Sequence, residues 1–162
     1  SEVALILMHM RGTPQTMQEG TITYSNVVED VKAFLNQALE RSKQAGIDLQ
    51  KCLVDPGIGF GKTFDDNIIL SRELHTISEL GRPIVFGPSR KRFLGEIVNR
   101  PACERDPATA ASCALARYTG AHVFRVHNVQ AVHDALKVAD ALSHPPSVKS
   151  TNTSLDTNPF SW

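Results

Sequence analysis

Two side chains near the end of the sequence have the types and spacing expected of an anion site. Arg125 and His127 lie two residues apart at the end of an apolar run, so a strand there would project both from one face. Arginine with a neighbouring histidine suits a phosphate or pyrophosphate group. The alternative is a strand end whose Arg and His are solvated or paired with a helix carboxylate.

Three further cations follow the apolar run that ends at Phe86. They lie in the segment Ser89-Arg90-Lys91-Arg92, after Gly87 and Pro88. Charge runs of this kind are commonly solvated turns, and that alternative stays open. Chemistry in parallel α/β folds sits at the carboxyl ends of the strands. The position of the run therefore favours at least one cation that points inward.

An acidic residue, Asp55, ends a third apolar run, which begins at Cys52. Asp55 shares a strand face with Leu53 and lies on the face opposite Val54, because side chains alternate along a strand. A carboxylate at a strand tip can accept two parallel N–H hydrogen bonds. It can also be the first residue of an Asp-Pro-Gly turn that bonds its own backbone, and the residues alone do not separate the two.

The glycine-rich segment after Asp55 does not match a nucleotide-binding loop. Gly61-Lys62-Thr63 reproduces the end of a P-loop, but Pro56 occupies the position of the first glycine and has no N–H to offer a phosphate. The dinucleotide-binding pattern also lacks its third glycine. No G-x-S-x-G segment and no converging pair of carboxylates supports covalent or paired-carboxylate catalysis.

Hydrophobic periodicity predicts four strand-helix units that would position these residues. The predicted strands span residues 3–8, 52–54, 83–86 and 122–126, and the predicted helices span residues 27–45, 66–80, 92–98, 107–118 and 129–142. Ser25 or Asn26 can cap the first helix, and Gly46 can end it. Residues 1–144 are predicted to form the folded unit, and the Ser/Thr/Asn/Pro-rich residues 145–162 a disordered tail.

The repeated units indicate an α/β fold with a parallel sheet, either open and doubly wound or part of a (β/α)₈ barrel. A complete barrel at this spacing needs roughly 250 to 300 residues, and the chain has 162. The sequence also begins inside an apolar strand. We therefore expect a fragment of a longer α/β protein, and the residues alone leave both sheet architectures open.

Composition narrows the classes of partner. Seventeen Lys plus Arg balance 17 Asp plus Glu, so the chain lacks the positive field of a general nucleic-acid or anionic-membrane binder, and any anion site must be local. No apolar run approaches the roughly 20 residues of a membrane span. Cys52, Cys103 and Cys113 have no CxxC spacing, which indicates neither a disulfide framework nor a zinc site and favours a reducing compartment.

Four motifs at the strand ends occur in the order found in dihydropteroate synthases, the folate-pathway enzymes inhibited by sulfonamides. They are Leu7-Met8-His9-Met10-Arg11-Gly12-Thr13-Pro14, Asp55-Pro56-Gly57-Ile58-Gly59-Phe60-Gly61-Lys62, Gly87-Pro88-Ser89-Arg90-Lys91 and Arg125-Val126-His127-Asn128-Val129. The chain resembles the carboxyl-terminal half of that family over residues 3–142, and the resemblance implies an α/β fold in which the chain supplies the last four βα units of a (β/α)₈ TIM barrel. The resemblance implies condensation of 4-aminobenzoate with 6-hydroxymethyl-7,8-dihydropterin pyrophosphate to 7,8-dihydropteroate and pyrophosphate.

The resemblance also implies roles for individual residues in pterin binding. Asp55 would hold the amino-pyrimidine edge of the pterin with paired hydrogen bonds. Met8, Phe60 and Gly87 would shape the slot for the ring. Lys91 would contact the pterin and lie near the second substrate.

The remaining implied roles concern the leaving group and the second substrate. Arg125 and His127 would bind the departing pyrophosphate, and the backbone around Arg92 would meet the aminobenzoate carboxylate. Lys91, Arg125 and His127 are thus the expected catalytic residues. The implied mechanism is dissociative, so it needs charge stabilisation of the leaving group rather than a strong protein base.

The family further implies partners outside this chain. These are Mg²⁺, with its ligand expected before residue 1, a first half of the barrel, a homodimer, and a fused pterin pyrophosphokinase if the protein is a multifunctional eukaryotic enzyme. The location would be cytoplasmic, or mitochondrial for such an enzyme. Two alternatives stay open: a pterin-binding methyltransferase barrel, and a half-barrel that serves only in assembly.

Overall fold

The computed structural model describes residues 3–12 and 22–143, in which strands and helices alternate along the chain. The strands are β1 (Leu5–Met8), β2 (Cys52–Asp55), β3 (Ile84–Phe86) and β4 (Ala121–Phe124). The helices are α1 (Val27–Gln44), α2 (Phe64–Arg72), α3 (Leu74–Ser78), α4 (Arg92–Val98), α5 (Asp106–Tyr118) and α6 (Val129–Ser143), and short 3₁₀ turns lie at Leu49–Lys51 and Ala102–Glu104. The predicted tail, residues 145–162, lies outside the described residues, and the predicted domain boundary stays a prediction.

The four strands form one parallel sheet in the order β1-β2-β3-β4. Each strand therefore pairs with the next one along the chain. A doubly wound sheet reverses its strand order at a switch point, whereas a barrel does not. The observed order agrees with four consecutive units of a (β/α)₈ barrel, which confirms the predicted fold class.

The two faces of the sheet have different surroundings. Val54, Ile84 and Phe86 point toward the helices and are fully buried. Ile6 and Val123 lie on the opposite face, where they are 53% and 41% exposed. This second face, called here the inner face, also carries Asp55, because Asp55 lies two residues after Leu53, the register partner of Ile6.

Helix α1 begins and ends at the residues that the sequence indicated. Asn26 Oδ1 accepts hydrogen bonds from the backbone N–H groups of Val28 and Glu29 at 3.1 and 3.3 Å. Gly46 follows the helix with φ +79°, a left-handed conformation that glycine adopts without strain. Because the cap and the glycine fix the two ends of the helix, the helix predicted over residues 27–45 agrees closely with the observed one.

The single helix predicted over residues 66–80 is wrong, since α2 and α3 are separate helices. A reciprocal capping box between Thr63 and Asp66 starts α2 earlier than predicted. At Glu73 the backbone departs from helical angles, with φ −102° and ψ 26°. Leu74 and Ile77 are buried in the same core as Leu70 of α2, so periodicity alone did not reveal the break.

The fourth strand is also shorter than predicted, because it ends at Phe124 rather than Val126. The N–H of Arg125 still donates to the carbonyl of Phe86 at 3.1 Å. Pro88 has no N–H with which to continue the ladder. Arg125 and His127 therefore lie in the loop after β4.

None of the helices within residues 22–143 is long and apolar enough to cross a bilayer. The three cysteines are free thiols, with Cys52 and Cys113 buried and Cys103 exposed.

Candidate active site

The carboxyl ends of the strands bring several predicted site residues together on the inner face. Met8 and Asp55 are register partners on β1 and β2. Gly87 and Arg125 follow β3 and β4 directly. A Cβ atom placed on Gly87 would lie 3.5 Å from Arg125 Nε, so the guanidinium crosses directly over the backbone of Gly87. This separation is ordinary van der Waals contact, so the guanidinium packs against the backbone of Gly87.

Asp55 is buried, with 5% of its surface exposed, and it makes the local turn that was one of the two interpretations left open by the sequence. Its Oδ1 accepts the N–H of Gly57 at 2.7 Å, which is the local turn bond. That bond engages one of the two carboxylate oxygens. Burial raises the pKa of Asp55, while the Gly57 N–H and the charges of Lys91, Arg125 and Lys62 act in the opposite direction.

Lys91 points into the same site. Its ammonium donates to the carbonyl of Ile58 and lies 4.3 Å from the centroid of the Phe60 ring. Burial lowers the pKa of Lys91 to about 8, and the nearby Asp55 charge counteracts that effect. A Cβ atom on Gly59 would lie 2.7 Å from Lys91 Cδ, so this glycine, with φ +79°, allows the lysine to pass.

The other two cations of the basic run point elsewhere. Arg90 forms a bidentate ion pair with Asp106 at 2.8 and 2.9 Å. Arg92 pairs with Glu96 at 2.6 Å, and its side chain is 92% exposed. Of the three cations, only Lys91 faces Asp55, which is the behaviour expected of one member of the run.

An open cavity of about 650 Å³ lies beside Lys91. Gly59, Phe60, Lys62 and Arg92 are among the residues that line it. This volume is in the range of small-molecule sites. The exposed guanidinium of Arg92 pairs with Glu96 at this cavity, and the contact between its backbone and the aminobenzoate carboxylate stays a prediction.

His127 lies beside the loop after β3. Its Nδ1 is 2.8 Å from the hydroxyl of Ser89, and its backbone N–H donates to the same oxygen at 3.1 Å. Two residues before it, Arg125 is on the Asp55 side of the loop. The structure thus places both residues of the Arg-x-His motif at the carboxyl end of the sheet.

Lys62 was treated in the sequence only as the remnant of a P-loop pattern, yet it is 5% exposed. Its ammonium donates to the carbonyls of Gly57 and Phe60 at 2.8 and 3.2 Å and lies 2.9 Å from His9 Nδ1. Burial is the main cause that lowers the pKa of Lys62 to about 7. The ring of His9, itself buried, has this lysine as its hydrogen-bond partner.

Two further residues missed by the sequence hold the same loop in place. The hydroxyl of Tyr24 donates to the carbonyl of Gly61 at 2.7 Å, and Asn67 Oδ1 accepts the N–H of Gly59 at 2.6 Å. Hydrogen bonds to loop carbonyls and N–H groups leave no trace in hydrophobic periodicity. The only available signal was the density of glycines, which require outside partners to hold one conformation.

The arrangement suits an anion beside a flat polar ring. Lys62, Lys91 and Arg125 surround a single carboxylate, Asp55, so the described site carries an excess of positive charge. Phe60 supplies an aromatic surface against the Lys91 ammonium. Among residues 3–12 and 22–143, no three His, Cys, Asp or Glu side chains converge as a metal site.

Comparison with known proteins gives the family. Residues 1–127 match the model of the pterin binding enzyme family. The dihydropteroate synthase of Synechocystis sp. is 42% identical over 139 residues, which cover 85% of this chain and 48% of that protein. The mitochondrial folate synthesis bifunctional protein of Pisum sativum is 41% identical over 152 residues, covering 87% of this chain and 30% of the other.

Solved structures agree with the sequence comparison. A Yersinia pestis dihydropteroate synthase with a bound sulfonamide drug superposes with a TM-score of 0.83 at 34% identity, covering 86% of this chain and 51% of that one. A Xanthomonas albilineans dihydropteroate synthase in complex with 7,8-dihydropteroate superposes with a TM-score of 0.80 at 38% identity, covering 89% and 53%. The chain spans about half the length of the dihydropteroate synthases it matches, and it belongs to the pterin-binding enzyme family.

Proposed function

We propose that this chain supplies the last four βα units of a dihydropteroate synthase. The complete enzyme would join 4-aminobenzoate to 6-hydroxymethyl-7,8-dihydropterin pyrophosphate. The observation that carries the proposal is the placement of a buried carboxylate, Asp55, within the electrostatic reach of Lys91 and Arg125 at one end of the sheet. The dihydropteroate synthases among the relatives and the dihydropteroate complex support it.

The site divides naturally between the two parts of the pterin substrate. Asp55 would accept N–H groups of the pterin ring, with Met8, Phe60 and Gly87 around the ring. Arg125 and His127 would receive the pyrophosphate, since arginine offers paired donors to phosphate oxygens. Lys91, which lies over Phe60, would face both the pterin and the incoming amine.

The proposed reaction begins when the bond between the pterin methylene carbon and the pyrophosphate oxygen breaks. Pyrophosphate leaves with the bonding electrons, and the methylene group becomes a cation conjugated with the pterin. The amine nitrogen of 4-aminobenzoate then donates its lone pair to that carbon and releases a proton to solvent. Arg125 and His127 would stabilise the leaving group, and the Asp55 carboxylate the cationic ring.

The family resemblance implies that Mg²⁺ assists the reaction, and we propose this for the complete gene product. The side chains described here do not converge as a metal site, so they do not fit the ion by themselves. In our proposal the ligand comes from residues outside this chain. None of the steps above depends on a metal ligand from residues 3–12 or 22–143.

The effect of inorganic pyrophosphate on pterin binding tests the proposal. Binding of 6-hydroxymethylpterin to the complete gene product that contains this chain is measured by isothermal titration, with and without inorganic pyrophosphate. Asp55→Asn should remove pterin binding in both conditions while keeping an oxygen for the Gly57 N–H. Asp65→Asn, which changes an exposed carboxylate on α2, is the matched control and should bind as the unaltered protein does.

Each alternative predicts a different result in that titration. A synthase site should bind the pterin more tightly when pyrophosphate is present. A pterin-binding methyltransferase holds no pyrophosphate, so it should bind the pterin without any coupling. A half-barrel that serves only in assembly should bind no pterin even in the complete gene product, and either of the last two results would overturn the synthase proposal.

The partners implied by the resemblance complete the proposal. Exposed apolar side chains on α4 and α5, namely Ile97, Leu115 and Tyr118, offer a surface for a homodimer. The mitochondrial folate synthesis protein of Pisum sativum is bifunctional, which supports a second, fused enzyme in the gene product; we propose a pterin pyrophosphokinase for that part. We propose a cytoplasmic location for the gene product, or a mitochondrial one if it is a multifunctional eukaryotic enzyme.

A further inference from the structure

We propose that Ser89 is a positioning residue that fixes the neutral tautomer of His127 with its proton on Nε2. The imidazole would then present an N–H donor, rather than a lone pair, to a bound anion. The inference rests on the proposed function only for the identity of that anion as pyrophosphate. The tautomer itself is a property of the protein without substrate.

The hydrogen bonds of Ser89 favour one direction for the proton, because its hydroxyl proton needs an acceptor even though its oxygen could accept a second bond. Ser89 is 9% exposed. The backbone N–H of His127 donates to its Oγ at 3.1 Å, so this oxygen already accepts one bond. Within residues 22–143, the acceptor in reach of the hydroxyl proton is Nδ1 of His127, at 2.8 Å. An accepting Nδ1 carries a lone pair, and the ring proton of the neutral imidazole therefore lies on Nε2.

The position of Ser89 is itself secured by the next residue. Arg90 has φ +58°, an uncommon left-handed conformation for a residue with a side chain. Its guanidinium forms the bidentate pair with Asp106, and Asp106 Oδ2 also accepts from Asn128 Nδ2 at 3.2 Å. The loops after β3 and β4 are thus joined twice: through Ser89 and His127, and through Arg90, Asp106 and Asn128.

The second link provides a control for the first. Ser89 bonds the imidazole directly, whereas Asp106 bonds Arg90 and Asn128 and reaches His127 only through its charge. Loss of the Ser89 hydroxyl should free the proton to occupy either ring nitrogen. Loss of the Asp106 charge should loosen the loops and leave the hydroxyl-imidazole bond in place.

The experiment reads the tautomer directly by ¹⁵N NMR of histidine-labelled complete gene product, with the His127 signals assigned from the His127→Gln variant. The unaltered protein should show the proton on Nε2. Ser89→Ala should give a mixture of tautomers, and Ser89→Thr, which keeps a hydroxyl, should restore the Nε2–H form. Asp106→Asn, and Ser42→Ala at a buried serine that bonds Ala38 in α1, should leave the tautomer unchanged.

Binding provides a second readout. Ser89→Ala should weaken the binding of inorganic pyrophosphate by about 2- to 10-fold, the equivalent of one neutral hydrogen bond, and should not change the binding of phosphate-free 6-hydroxymethylpterin.

Three results would overturn the inference: a proton on Nδ1 in the unaltered protein, an unchanged tautomer in Ser89→Ala, or a change of equal size in Asp106→Asn. Failure of the proposed function would appear separately, because pyrophosphate would then not bind at all while the NMR result for His127 could still hold.

Discussion

At the scale of single residues, burial explains why the ionisable groups of the candidate site have shifted pKa values. Asp55, Lys62 and Lys91 are all removed from bulk water. Burial is the main cause that raises the pKa of Asp55 and lowers the pKa values of the two lysines, which favours the neutral form of each. Perturbed groups that cluster at one place are typical of binding and catalytic sites. An anionic ligand would stabilise the charged forms of both lysines.

Arg125 is predicted to act on the pyrophosphate and not on the pterin ring. In the complete gene product, Arg125→Ala should weaken binding of the pyrophosphate-bearing pterin by about 1.5 to 3 kcal/mol, the scale of a hydrogen bond to a charged group. Titration of both ligands checks this, with Arg41→Ala at the exposed surface of α1 as control. An equal loss for phosphate-free pterin would show that the assigned role is wrong.

His9 is predicted to make the stability of the chain fall in mild acid. Burial, followed by the charge of Lys62, lowers its pKa from 6.5 to about 4. The unfolded chain therefore takes up a proton between pH 6.5 and pH 4 that the folded chain does not. The stabilisation is fully present above pH 6.5 and is lost as the pH falls toward 4, by up to about 3 kcal/mol.

His9→Asn isolates this contribution, because asparagine keeps an acceptor near the position of Nδ1 but does not titrate. Urea unfolding at pH 6.5 and pH 4.5 measures the free energy of unfolding of both proteins. The unaltered chain should lose more stability between the two pH values than the variant. Equal losses would mean that His9 takes up its proton as readily in the folded chain as in the unfolded chain.

At the scale of elements, the loop between β2 and α2 is the part that the rest of the site depends on. Gly57 occupies it with φ +68°, and a Cβ atom there would lie 1.8 Å from the carbonyl oxygen of His9. The backbone of Gly57 therefore lies very close to His9, which follows β1, at the point where Asp55 ends β2 and makes its turn. Conformation and space both require glycine at this position.

A matched pair of substitutions separates these two requirements. Gly46→Ala, at φ +79° with no atom within 4 Å of the added Cβ, should cost only the left-handed penalty of about 1 to 2 kcal/mol. Gly57→Ala should cost about 1 to 3 kcal/mol more, since the loop must move away from His9. Denaturant unfolding measures both variants, and equal costs would contradict the close approach.

At the scale of the whole molecule, the sheet has an open inner face and two unpaired edges in the described residues. Ile6 and Val123 are exposed on that face, while β1 and β4 each pair on one side only. Parallel strands are normally covered on both faces. In the proposed complete barrel, further strands would cover this surface and supply the other wall of the ligand site.

The chain by itself is therefore predicted to bind pterin weakly and to show little or no synthase activity. Its pterin affinity should be at least roughly tenfold below that of the complete gene product, a difference of about 1.4 kcal/mol, because half of the cavity wall is missing. Titration and a pyrophosphate-release assay compare the two proteins. Robust turnover by the purified 162-residue chain would refute the prediction.

Local sequence determined the order of elements in this protein. Apolar periodicity, the Asn26 cap and the glycine at 46 locate α1, and residue types at the strand ends locate the site. Alternation along β2 correctly placed Asp55 on the face opposite Val54, because side-chain direction in a strand follows from position alone. These features depend on neighbours a few residues apart, which is why they could be predicted.

Only the tertiary structure decided which polar groups meet. Arg90 turns away from the site because Asp106, 16 residues later, holds it, and Lys62 becomes buried because loop carbonyls and His9 surround its ammonium. The tie between Ser89 and His127 spans 38 residues. Hydrogen bonds and ion pairs act through space over a few ångströms, and the pattern of residues along the chain does not record which distant groups folding will bring that close.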